Sequence, residues 1–229
     1  MKKLWNARHP DAPIKASSPK DIWKSLRDNM RNTCDTERCW LRQKFMKNKL
    51  NPELTTYTFA PTAPSVWKSN PDEWLTSVDI DKVMKQWEKK YKDYEFIGPS
   101  PIDFDTNMVD GECVWDELCK FNLKKSMSKG KKKIGIIFNL DPHYKGGSHW
   151  VAMYVDIKNE IVFFFDSNGD PVPHQVKALK NRIIEQGKEM NVNFKFFENH
   201  PTEHQKGDTK CGIYTIYVIT QLLQGKKTY

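Results

Sequence analysis

Trp150 to Ile157 and Ile161 to Phe165 are two apolar runs with only Lys158-Asn159-Glu160 between them. Runs of this length and composition are strands, and so short a polar link makes them an antiparallel hairpin. Ile134-Gly135-Ile136-Ile137-Phe138 is a third continuous run, as expected of a strand covered on both faces. Phe194, Phe196 and Phe197 mark a fourth. Around these strands, Ile80, Val83, Met84, Trp87 and Tyr91 fall on one helical face that opens just after Trp74-Leu75-Thr76-Ser77. Val176, Leu179, Ile183 and Ile184 predict another helix, residues 113–123 a short one, and Cys211 to Leu223 one apolar enough to be buried. Phe96-Ile97-Gly98-Pro99 ends the first of these, and Pro99 and Pro101 keep the next residues extended. Lys124 to Lys133, rich in lysine around Gly130, reads as an exposed loop. The expected fold is a mixed α+β domain with a small central sheet.

Upstream the character changes. Residues 17–50 carry a helical signal opened by Ser17-Ser18-Pro19, with Ile22, Trp23 and Leu26 on one face, and Cys39, Trp40, Phe45 and Met46 continue an apolar pattern among basic residues. Pro52, Pro61, Pro64 and Pro71 then interrupt regular structure, which sets a boundary near residue 68. Residues 1–68 hold 14 Lys+Arg against 6 Asp+Glu, whereas residues 69–229 hold 23 of each, so the net charge of +8 belongs to the first segment. The chain therefore reads as a basic helical arm over 1–68 and a larger domain over 69–229. Such a charge asymmetry suits contact with nucleic acid or another acidic partner, and equally a solvated helical surface.

The larger domain places chemistry at the ends of its predicted elements. His149 opens the first hairpin strand and Asp166 closes the second, so the hairpin alone makes them neighbours. Cys211 stands at the start of the last helix, where unpaired amides favour a thiolate, and Gly212 beside it leaves room for a substrate backbone. Gln205 lies in the polar loop leading to Cys211, placed to donate to an oxyanion. A thiol attacks a carbonyl as thiolate, so it needs an imidazole, and the imidazole needs an acceptor on its second nitrogen. His143, His200 and His204 are rival histidines near the same motifs, and Asn168, on the same face as Asp166, is the alternative third member.

The order His149-Trp150, Asp166, Gln205 and Cys211-Gly212, with Trp74-Leu75 upstream, resembles the superfamily of SUMO-specific and adenovirus-type cysteine proteases. The resemblance covers roughly residues 70–229. It implies a papain-like cysteine protease core, with His149 as base, Asp166 as its orienter, Cys211 as nucleophile and Gln205 as oxyanion donor. It further implies that Trp74 and Trp150 sandwich a narrow tunnel and that cleavage follows Gly-Gly or a similar small pair. Lys210 departs from the family, which usually has Asp before the cysteine. The short domain looks closest to polyprotein-processing proteases of large DNA viruses. A SUMO or ubiquitin-like deconjugating isopeptidase and an inactive ubiquitin-like-protein binding module are the alternatives.

Composition narrows the setting. No apolar run approaches membrane-spanning length, and Met1-Lys2-Lys3-Leu4-Trp5 has no hydrophobic region behind it, so neither membrane insertion nor secretion is expected. Five cysteines at irregular spacings argue against a disulfide framework and for an intracellular reducing compartment, cytoplasm or virion. Cys34, Cys39, Cys113 and Cys119 are expected as buried thiols, since their spacing suits a zinc site poorly. No cofactor or metal is expected.

Overall fold

The computed structural model describes residues 1–34, 39, 40, 43, 46, 69, 70, 72–108 and 111–226. The chain divides into two compact units, Met1–Pro61 and Thr62–Tyr229. Pro52, Pro61, Pro64, Pro71 and the boundary drawn near residue 68 lie outside the described residues, as does Phe45.

In the first unit, α1 spans Lys2–Arg8 and α2 spans Pro19–Met30. Ser18 caps α2 by accepting from the Asp21 N–H at 3.1 Å, and Pro19 occupies the first turn, where its missing N–H costs nothing. The helical signal after Ser17 therefore yields α2, whereas α1 is too short to show a period. Trp5, Ile14, Leu26, Met30, Cys34 and Trp40 form a buried cluster. The two indoles stay satisfied inside it, Trp5 Nε1 donating to the Ala12 carbonyl and Trp40 Nε1 to that of Cys34, both at 2.9 Å. Trp23 is instead exposed, with the Arg27 guanidinium over its ring.

The second unit opens with α3, Ser77–Lys90, held by a capping box between Thr76 and Asp79. Then follow β1 (Tyr94–Pro101), α4 (Asp116–Cys119), α5 (Leu123–Ser128), β2 (Lys133–Asn139), β3 (Trp150–Asp156), β4 (Ile161–Phe165), α6 (His174–Glu189), β5 (Lys195–Glu198) and α7 (Cys211–Leu223). The sheet runs β1-β2-β3-β4-β5. The central pairs β2/β3 and β3/β4 are antiparallel, and the outer pairs β1/β2 and β4/β5 are parallel. The residues expected only to be extended around Pro99 and Pro101 are the end of a strand, β1, although these two prolines carry no N–H to donate. It survives at the edge of the sheet, with its register shifted between Ile97 and Ser100. The lysine-rich segment after Asn122 is likewise half helix: Asn122 caps α5 by accepting from Lys125 N–H at 2.8 Å. The helix expected over 113–123 is only the single turn α4.

Alternation along the strands divides the core. Ile134, Ile136, Phe138, Val151, Met153, Val155, Val162 and Phe164 face α6 through Val176, Leu179 and Ile183. On the opposite face α3 lies against β1, and α7 lies against β3 and β2. Every residue of β3 is buried, as a strand covered on both faces requires. Gly135 is what lets α7 come close. A Cβ there would sit 2.2 Å from the Tyr94 hydroxyl and 3.0 Å from Ile219 Cγ2.

Four of the five cysteines pair rather than remaining buried thiols. Cys34 and Cys39 are joined in the first unit, and Cys113 and Cys119 in the second. Their Cα atoms lie 5.5 and 6.2 Å apart, within the span a disulfide bridges. Each closes a loop of only five or six residues along the chain, so neither ties distant elements together. Cys211 is the free cysteine.

The crowding at Gly135 gives a stability test. Gly135→Ala is expected to lower the unfolding free energy by about 1–3 kcal/mol, because the buried Tyr94 cannot swing aside without strain. Tyr94→Phe in the same chain removes the nearest atom and should restore part of the loss. Urea unfolding of the single and double variants measures both effects, and additive losses would refute the contact.

Candidate functional site

The hairpin builds half of the site. Ala152 pairs with Phe165, so a continued ladder would set Val151 opposite Asp166 and His149 opposite Asn168. Asp166 is thus the diagonal neighbour of His149, within reach of a long side chain. The chain turns immediately after β4, and the diagonal is closed: His149 Nε2 lies 2.7 Å from Asp166 Oδ1. A carboxylate only accepts, so the proton of this bond sits on Nε2 and Nδ1 is the nitrogen left over. Asp166 is 1% exposed, and its Oδ1 also accepts from the Asn168 backbone N–H at 2.9 Å. Asn168 itself is exposed and contributes its backbone to Asp166.

The other half is the start of α7. Cys211 is buried and forms the first residue of a helix whose N-cap residue, Lys210, makes no side-chain cap. Burial pushes the Cys211 thiol up, but the His149 ring and the backbone N–H groups of Trp150 and Gly212 more than reverse it, leaving it below its ordinary value. For His149, burial pulls the ring down, while hydrogen bonds and charge from Asp166 and Cys211 outweigh it and raise the imidazole to about 9. The two shifts are of opposite sense, the thiol lowered and the imidazole raised, each in part by the other group.

Gln205 is 3% exposed and fixed at both ends of its amide. Its Oε1 accepts from Ser167 Oγ at 3.0 Å, and its Nε2 donates to the Gly207 carbonyl, leaving one N–H uncommitted. Trp150 is nearly buried, and its indole donates to the Leu75 carbonyl at 3.1 Å, whereas Trp74 is 41% exposed. Both tryptophans line a cleft of about 570 Å³, with Pro99, Pro101, Trp115 and His143 on other walls. Gly212 has a packing duty: a Cβ there would lie 3.0 Å from Leu75 Cβ and 3.3 Å from Trp150 Cδ1. Its bareness lets α7 seat beneath those two residues.

The rival histidines are occupied elsewhere. His143 has a carboxylate of its own, Asp103, which takes its ring Nδ1 at 2.7 Å and its backbone N–H at 2.9 Å. Asp103 lies forty residues upstream, so no local spacing announced it. His200 Nδ1 meets the Gly169 carbonyl at 2.7 Å, and the His204 ring leans on Phe165. Asn139, also unforeseen, shapes the loop before His149 by accepting from Asp141 and Ser148 N–H groups. Among the described residues no three His, Cys, Asp or Glu side chains converge as metal ligands. Among them, too, no helix is long and apolar enough to cross a membrane.

The Ulp1 protease family, C-terminal catalytic domain, matches residues 71–228. A protein of Acanthamoeba polyphaga mimivirus named as a thiol protease is 30% identical over 92% of this chain and 68% of its own length. A cysteine protease of African swine fever virus is 25% identical over 91% of this chain and 80% of its own length. A crystal structure of an African swine fever virus protease shares the fold, with a TM-score of 0.58 at 23% identity, over 93% of this chain and 83% of that one.

The ion pair has a pH signature. His149 is raised above its ordinary 6.5, so the stabilisation its charge contributes is complete below 6.5 and is lost as pH rises through about 9. An NMR titration of the His149 ring is expected to show a midpoint near 9. Removing Cys211 by Cys211→Ala deletes two of the raising influences and should move that midpoint down. An unmoved midpoint would mean the thiol and the ring do not interact.

Proposed function

We propose that this chain, which belongs to the Ulp1 protease family of cysteine proteases, is a thiol endopeptidase in which Cys211 is the nucleophile, His149 the base and acid, Asp166 the group that orients His149, and Gln205 an oxyanion donor. The single observation that carries the assignment is the chain of groups from Cys211 at the head of α7, through the His149 ring that lowers its thiol, to buried Asp166 at 2.7 Å from His149 Nε2.

The reaction follows from that chain. The Cys211 thiolate attacks the scissile carbonyl carbon and forms a C–S bond. The carbonyl oxygen becomes an oxyanion, met by the free N–H of Gln205 and by the amides that open α7. The imidazolium gives its proton to the departing amine nitrogen as the C–N bond breaks, which leaves a thioester. Neutral His149 then takes one proton from water as its oxygen attacks the thioester carbon, the C–S bond breaks, and the acid product leaves, giving its own proton to solvent, with a thiolate beside an imidazolium again. Throughout, Asp166 holds the ring with Nδ1 toward sulfur and stabilises its charged form.

Trp74 and Trp150 line one cleft, which supports cleavage after a Gly-Gly-like pair, since a passage narrowed by two indoles admits little more than bare backbone. The relatives from large DNA viruses support maturation of a viral polyprotein as the task. An African swine fever virus relative named as a SUMO-1 cysteine protease keeps deconjugation of a SUMO-like protein as the second reading.

Cys211→Ala and His149→Ala are each expected to abolish peptide cleavage in a folded protein, a loss of many orders of magnitude because the members act as a unit. Asp166→Asn should cost more kcat than Asn168→Ala, and the reverse order would hand the orienting role to Asn168. Specificity is tested with peptides carrying Gly-Gly before the cut beside intact SUMO and ubiquitin conjugates. Replacing the glycine at the cut by valine should stop turnover, and equal rates for glycine and valine would refute the narrow passage.

A further inference from the structure

The turn after β4 and the loop leading to α7 are laced together by side chains that the chemistry above does not use. β4 and β5 pair in parallel only as far as Phe164 and Glu198. The next residue, Asn199, continues the pairing with its side chain instead of its backbone. Its Oδ1 accepts from the Asp166 N–H at 2.9 Å, and its Nδ2 donates to the Asp166 carbonyl at 2.7 Å and to the Thr202 carbonyl at 2.8 Å. One amide thus grips both backbone polar groups of the residue that holds His149.

Ser167 does the corresponding work for Gln205. It is fully buried, and its carbonyl accepts from the N–H groups of His204 at 2.8 Å and Gln205 at 2.9 Å. Its Oγ donates to Gln205 Oε1 at 3.0 Å. Because the Gly207 carbonyl on the other side can only accept, the Gln205 amide has one satisfied facing, with Nε2 turned away from Ser167. Turn and loop are in direct backbone contact: Gly169 has φ +78, and a Cβ on it would lie 2.8 Å from the Thr202 carbonyl carbon.

We propose that Asn199 and Ser167 are positioning residues of the thiol-protease reaction, Asn199 fixing Asp166 under the His149 ring and Ser167 fixing the facing of the Gln205 amide. This rests on the roles assigned above to Cys211, His149, Asp166 and Gln205. Two groups that must act on opposite sides of one carbonyl are thereby mounted on a single rigid knot, so neither depends on the mobility of its own loop. Small displacements of such groups are costly, about a hundredfold in rate for about 1 Å.

The test uses the full chain. Asn199→Ala is expected to lower kcat ten- to a hundredfold at unchanged KM and to move the His149 NMR midpoint down from about 9, because the bond to Asp166 loosens. Asn199→Asp keeps the volume and the acceptor for the Asp166 N–H but turns an acceptor toward the Asp166 and Thr202 carbonyls, so a drop in kcat at least as large as that of Asn199→Ala is expected. Ser167→Ala should lower kcat, and adding it to Gln205→Ala should cost nothing further, since both act through one amide. A folded Asn199 variant with wild-type kcat and an unmoved His149 midpoint overturns the proposal, as does a loss that appears only in KM. The ring titration reads the Asp166 contact whether or not peptide is cleaved, so failure of this inference is separable from failure of the protease assignment, which Cys211→Ala decides.

Discussion

The site depends on a carboxylate that is 1% exposed and meets an imidazole at 2.7 Å. A buried charge without partners costs several kcal/mol, so Asp166 is tolerable only because its partners arrive from several elements. The ring comes from the start of β3, one N–H from the turn after β4, and the backbone clamp from Asn199 beyond β5. Remove the hairpin register and His149 loses the diagonal that lets it reach Asp166. The sulfur at the head of α7 would then face a ring with no acceptor behind it and an imidazolium with nothing to hold it charged.

Packing around the sheet serves that one requirement. α7 must bring its first residue to the edge where β3 begins, and it does so by lying close over β2 and β3. Gly135 clears the space beneath Ile219, and Gly212 clears it beneath Leu75 and Trp150. The Trp150 backbone N–H also helps to lower the Cys211 thiol, so the helix seat and the environment of the thiol are one arrangement. The Trp150 indole, bonded to the Leu75 carbonyl, also fixes the segment that carries Trp74. Core packing and the shape of the cleft are therefore coupled through a single side chain.

Electrostatics at the site is local. Residues 69–229 carry equal numbers of each charge, so net charge does not account for the lowered Cys211 thiol. The His149 ring and the Trp150 and Gly212 N–H groups lower it, working against burial. His149 is driven the opposite way by the same contact. The surface ion pair between Lys210 and Asp72, 3.3 Å apart and half exposed, contributes little by comparison.

Local pattern was sufficient to read the central strands, the long helices and the nearness of His149 to Asp166, because period, capping and a short hairpin link act over a few residues. The apolar face of α3, the β3–β4 hairpin and the apolar α7 are of this kind. What joins residues far apart left no such trace. β1 is a strand only because β2 lies beside it, despite its prolines. Asp103 holds His143 from forty residues away, and Asn199 grips Asp166 from thirty-three. The cysteine pairs were missed although they are near in sequence, since spacing gives no Cα distance. Gly212 reads as room for substrate, and tertiary packing adds that its missing Cβ also makes room for Leu75 and Trp150. Sequence by itself determined which groups stand at the ends of which elements. Tertiary structure decided which of them touch, because hydrogen bonding and close packing depend on fractions of an ångström that no one-dimensional spacing encodes.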